Sequence, residues 1–176
     1  MSARFALRAA TRFAHERVDA AFAGHNLADR VDYRRFLAAH AAALVPIEEA
    51  LTLAGARRLV DEWDNHRRAP LLLADLAILG AEPVVRLEPA EIRQEPELAG
   101  ALYVLEGSRL GGAVLAKRVP PALPATFLSA PQAPGRWTRF AMSLDQLLDT
   151  PPKLAAAAAA ALAVFRQFEI AAEQVA

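Results

Sequence analysis

Three glycines, Gly107, Gly111 and Gly112, fall mid-way along an apolar run that extends from about Leu98 to Val119 and stops before Pro120-Pro121. Nothing else in that run opposes a helix. Each glycine costs a helix interior roughly 0.5–1 kcal/mol relative to alanine. Two physical reasons would justify keeping them. The Gly107-x-x-x-Gly111 spacing bares two patches one turn apart on a single face, so a neighbouring helix can pack on the backbone itself. Alternatively, a flat ligand lies there and the helix bends at the glycines to clear it. Both readings require a helix, and the rest of the chain agrees. Hydrophobic residues make up 55%, with Ala and Leu dominant. β-branched runs are few, and no stretch reads as a strand. The expected architecture is all-α, about seven or eight helices in a single domain over residues 1–176.

Charge narrows the partners. Lys plus Arg and Asp plus Glu are 20 each, so the formal charge is zero. No basic surplus points to nucleic acid or to an anionic membrane, and any basic site must be local. The absence of cysteine excludes disulfides, thiolate nucleophiles, iron–sulfur clusters and thiolate-ligated haem. The opening residues Met1 to Arg8 hold no apolar core of signal-peptide length. The longest apolar run, Leu154 to Phe165, falls short of the ~20 residues that span a bilayer. A soluble cytoplasmic protein is expected.

Helix signals then divide the chain. Ser2 can cap a first helix to about Phe22, with Leu7, Thr11, Ala14, His15, Val18 and Phe22 on its inner face. Asp29 or Asp32 can cap a second, roughly Tyr33 to Leu53, that Pro46 kinks and Gly55 ends. Arg57 to Trp63 reads as a short helix, and Asp64 to Arg68 as a polar connection. Pro70 suits the first turn of a helix to Leu79, closed by Gly80. Residues 82–96 read as a loop with a turn near Ala90 to Arg93, before Pro96 opens the glycine-bearing helix. Five prolines make 120–134 irregular, with a short turn at Phe127. Gly135 leads into a helix to Leu148, and Pro151-Pro152 into a last helix with an alanine tract.

His15 carries the most chemical weight. Asp19 follows at i+4, so its carboxylate can bond one imidazole nitrogen and leave the other free for a metal. Arg8 lies seven residues earlier, ~10.5 Å along the same side of the helix. That matches the reach from an axially bound iron to the carboxylate edge of a porphyrin. A core histidine satisfied by Asp19 fits the same residues. His25, His40 and His66 show no metal-ligand spacing; His25 and His66 read as turn residues and His40 as a helix-packing one. Gly107-Ser108-Arg-Leu-Gly111 lacks the Gly-x-Ser-x-Gly order of a hydrolase elbow and the lysine of a P-loop. Lys117 and Arg118, at the end of that helix, complement its dipole or meet an acidic ligand edge.

Two stretches resemble the haem oxygenase family: Leu7-Arg8-Ala-Ala-Thr11-Arg12-Phe-Ala-His15-Glu-Arg-Val-Asp19, and Tyr103-Val-Leu-Glu106-Gly107-Ser108-Arg-Leu110-Gly111. The likeness is greatest to the bacterial enzymes that supply biliverdin to bacteriophytochromes. It implies haem as substrate and cofactor, with His15 the proximal iron ligand, Asp19 its partner and Arg8 on a propionate. It implies a distal wall of Gly107, Gly111 and Gly112, with Ser108 ordering water and Tyr103 and Lys117 holding propionates or water. It further implies O2, electrons from an external ferredoxin or reductase, and the products biliverdin, CO and Fe2+. Mammalian members place an aspartate where Ser108 stands, so water or backbone would carry the proton relay here. Two other functions compete: a haem-binding or storage protein without turnover, and a non-haem helical protein of thiaminase-like architecture.

Overall fold

The computed structural model describes residues 2–81 and 85–175. Among these the chain is all-helical. Seven α-helices run α1 Ala3–Phe22, α2 Arg30–Leu53, α3 Trp63–His66, α4 Ala69–Ile78, α5 Glu95–Ala116, α6 Arg136–Leu147 and α7 Pro151–Val175, with a 3-10 turn at Ala56–Arg58.

The last helix is the hub. α7 packs against α5, α1 and α2; α6 flanks α1 and α5, and α4 lies on α2. The alanine tract makes this possible. Gly100 of α5 lies so close to α7 that an added Cβ would sit 2.0 Å from the Ala157 carbonyl oxygen. Ala157 and Ala161 are fully buried. By length and hydropathy α2 and α7 could each cross a membrane. Both instead supply the core, α2 through an unbroken buried stretch from Ala41 to Glu48.

Helix ends follow local chemistry. Asp29, not Asp32, caps α2, accepting from the Val31 and Asp32 amides at 3.0 and 2.9 Å. Asp32 instead accepts from the Asn26 amide and bonds His25 Nδ1 at 2.8 Å. Ser2 occupies the cap position of α1 but makes no side-chain cap; Asp145 of α6 takes the Ala3 amide instead, at 2.6 Å. Gln94 and Glu97 form a reciprocal capping box at the start of α5, with Pro96 in its first turn. α2 continues through Pro46 as one helix.

Three expectations need correction. Residues 57–63 are not one helix: the 3-10 turn ends at Arg58, and Glu62, at φ 54°, turns the chain into α3. The polar stretch Asp64 to Arg68 is not a mere connection: its first three residues belong to α3, and His66 and Arg68 are buried. No turn forms over Ala90 to Arg93; residues 82–84 of that loop lie outside the described residues.

Candidate functional site

α1 presents His15 at its edge rather than in its buried seam, which is made by Leu7, Thr11, Ala14 and Phe22. The imidazole is 59% exposed, with Nδ1 3.1 Å from Asp19 Oδ2. The carboxylate stands where it can accept from an Nδ1–H, the tautomer in which Nε2 keeps its lone pair. Phe165 of α7 meets the ring edge-on, centroids 5.7 Å apart, and limits its swing. His15 is therefore not a sealed core histidine. Arg8, two turns earlier, is also exposed.

Tyr103 links α5 to this end of α1. It is half-buried beside Trp137, ring centroids 5.9 Å apart. Burial raises the phenol's pKa, while the Thr11 hydroxyl in bonding reach and the charges of Arg8 and Arg4 act against the rise. The fold thus gathers Tyr103 and Arg8, distant in sequence, into one neighbourhood. Lys117 is exposed at the C-terminal end of α5.

The three central glycines separate by surroundings. A Cβ at Gly111 would meet nothing within 4 Å, and at Gly107 only the Trp137 ring, at 3.8 Å. Leu110 and Val114 on the same stretch are exposed. Gly112, in contrast, is buried, and its Cβ would lie 3.2 Å from the Leu128 carbonyl oxygen. Gly112 is therefore closely packed and is not part of an open wall. Gly107 and Gly111 leave bare backbone with room above it.

A buried polar network underpins this segment. Ser108 Oγ donates to the Leu105 carbonyl at 2.8 Å and accepts from Arg68 Nη2 at 2.5 Å. Arg68 also donates to the Leu105 carbonyl at 3.1 Å. Its guanidinium lies over the Phe127 ring, 5.3 Å from the centroid, and burial lowers its pKa to about 10. Glu48 of α2 caps α4, accepting from the Arg68 and Ala69 amides at 2.8 and 3.0 Å; burial raises its pKa. Glu106 bonds His66 Nε2 at 2.8 Å, and Arg109 bonds both Glu106 and the His66 carbonyl. Burial works against the Glu106 carboxylate, yet the His66 hydrogen bond and the Arg109 charge hold its pKa below the ordinary value.

Ser108 apart, none of these partners has a role assigned from the sequence, although part of the signal was present. Glu106 and Arg109 are charges inside an apolar run, and a buried charge must be paired. His66 reads as a turn residue but is buried, and Arg68 gave no sign at all. Surface hollows of about 110 Å³ beside Arg4 and Phe5, and about 230 Å³ between α2 and residues 86–89, contain none of the candidate residues.

Among the described residues no group of three or more His, Asp or Glu could hold a bare metal ion. A metal at His15 must bring its other ligands with it, as the iron of a porphyrin does. The exposed His15 ring, the bare backbone at Gly111 and the cation beside Tyr103 all fit such a group.

No protein-family model matches the chain. It is similar to the haem oxygenase of Xanthomonas campestris pv. campestris (strain 8004), 35% identical over 151 residues that cover 82% of this chain and 90% of that one. Its fold is that of the NO- and CO-bound haem oxygenase from Neisseria meningitidis: TM-score 0.83, 24% identity, covering 99% of this chain and 92% of that one.

Proposed function

The chain belongs to the haem oxygenase family and is an enzyme that degrades haem with O2 and an external reductant; from that premise we propose how its own residues do so. His15 Nε2 ligates the haem iron, with Asp19 fixing its tautomer. The observation that carries this is the Nδ1–Asp19 contact at 3.1 Å on an otherwise exposed imidazole. A neutral histidine donates less electron density than a thiolate and does little to force O–O cleavage. Haem then supplies both the oxygen-activating iron and the ring that is cut.

Arg8 of α1 and Tyr103 of α5, brought into one neighbourhood, hold the propionate edge; Lys117, at the C-terminal end of α5, stands ~21 Å further along that helix and does not share the edge with them. Gly107 and Gly111 let backbone crowd the opposite face without an acid–base side chain. Ser108 cannot swing freely, because Arg68 and Leu105 hold its hydroxyl, so it presents a fixed polar group to water in the site. The products are biliverdin, CO and Fe2+, released from one cytoplasmic domain. The electrons come from a ferredoxin or a reductase, and a bacteriophytochrome is a fitting acceptor of the biliverdin.

Hemin titration followed by reduction tests the assignment. A sharp Soret band of a histidine-ligated haem is expected, replaced by biliverdin absorbance when ascorbate or reduced ferredoxin is added under oxygen. Absence of the band removes the haem site. A lasting oxy complex with no bile pigment would mean storage instead.

A further inference from the structure

His40 of α2 is a histidine that the scheme above leaves unused. Its Nδ1 lies 2.9 Å from the Phe36 carbonyl oxygen. A carbonyl can only accept, so Nδ1 carries the proton and Nε2 is a bare acceptor. The ring sits among Phe22, Phe36, Phe127 and Phe168, at centroid separations of 4.1, 4.2, 5.9 and 5.9 Å. Phe22, Phe36 and Phe127 are buried, yet His40 and Phe168 both keep partial exposure. Their open side is therefore turned toward space that those three rings do not fill.

Neighbours place that space. Phe168 is three residues beyond Phe165, the ring that meets His15. Phe22 is two turns beyond His15 on α1. Phe127 carries His40 near one side and the Arg68 guanidinium over its face, and Arg68 is the group that grips Ser108. The charged or titratable groups that bear on His40 are Arg68 and His25, both of which favour its neutral form.

We propose that His40 is a positioning residue for haem cleavage: its Nε2 accepts a hydrogen bond from water in the haem site, on the side of Phe127 where Arg68 grips Ser108, and so orients the water that delivers protons. The proposal rests on the haem reading and adds a bare acceptor to a wall otherwise made of apolar rings.

The test uses the whole protein and gallium protoporphyrin IX, a redox-inert haem mimic. In 15N-labelled protein His40 should show one protonated nitrogen, Nδ1, and one bare nitrogen, Nε2. The Nε2 resonance should move upfield when the mimic binds. A protonated Nε2, or a resonance unmoved by the bound mimic, overturns the proposal without any variant. His40→Phe should keep haem affinity and the His15-ligated Soret band but lose about tenfold or more in turnover, and His40→Gln, which retains an acceptor, should recover most of it. Parental turnover in His40→Phe also overturns the proposal. Failure of the unmodified protein to bind haem would instead strike the site assigned to His15.

Discussion

Two histidines show how one residue type takes opposite roles from its surroundings. His15 is exposed and touches little besides Asp19 and Phe165. His15→Ala should therefore leave thermal stability near the parent while abolishing tight haem ligation and its Soret band; an unchanged spectrum would remove the residue from its assigned role. His40 is largely surrounded by aromatic rings, and desolvation lowers its pKa to about 4 against an ordinary 6.5. The sign follows from proton counting. Between pH 6.5 and 4 the unfolded chain binds a proton that the folded one refuses, so stability is full above 6.5 and falls as pH drops toward 4. The loss amounts to at most about 3 kcal/mol. Urea unfolding at pH 7 and pH 4.5 should show a smaller acid loss in His40→Gln than in the parent; equal losses would place the acid sensitivity elsewhere, His66 being the next group whose pKa burial lowers.

At the scale of the element, α5 carries Gly100, Gly107, Gly111 and Gly112 in one continuous helix, and its neighbours sort them. A Cβ at Gly100 collides with the Ala157 backbone, whereas one at Gly111 enters open space. Gly100→Ala should thus cost more than the 1–3 kcal/mol typical of overpacking, because backbone rather than a side-chain tip must move. Gly111→Ala should stabilise the apoprotein by roughly 0.5–1 kcal/mol through helix propensity. Equal effects in thermal denaturation would refute the distinction. Gly111→Leu should still fold but place a branched side chain in the space proposed for haem and oxygen, so its turnover should collapse; normal turnover would leave the glycine to packing alone. The sequence shows these glycines as a group in conflict with their helix. It cannot separate ligand-facing from helix-facing ones, since that depends on what approaches each face.

The whole molecule joins distant segments through buried polar groups. Asp75 of α4 is fully buried and accepts from Thr126 Oγ1 at 2.5 Å and from the Phe127 amide at 2.9 Å. Through it, the irregular stretch after α5 is pinned to α4, and Phe127 is set under Arg68 and beside His40. Asp75→Ala would leave the buried Phe127 amide unpaired, a cost of about 1–3 kcal/mol. Hydrogen exchange should then rise across residues 123–130; unchanged protection there would show that apolar packing alone holds the stretch. Arg68, Glu48, Glu106, Arg109 and His66 tie α2, α3, α4 and α5 beneath the glycine segment. No periodicity announces such a network, because its members are far apart in sequence and each alone looks like a surface charge.

The sequence by itself determined the helical class, most helix boundaries, the His15–Asp19 pairing and the family, because these rest on local propensity, i+4 spacing and contiguous motifs. Only the tertiary structure decided that His66 and Arg68 are buried, that Gly112 packs while Gly111 stays bare, and that His40 stands in an aromatic cage near Arg68. Those outcomes depend on contacts between segments many tens of residues apart, and a local pattern contains no term for them.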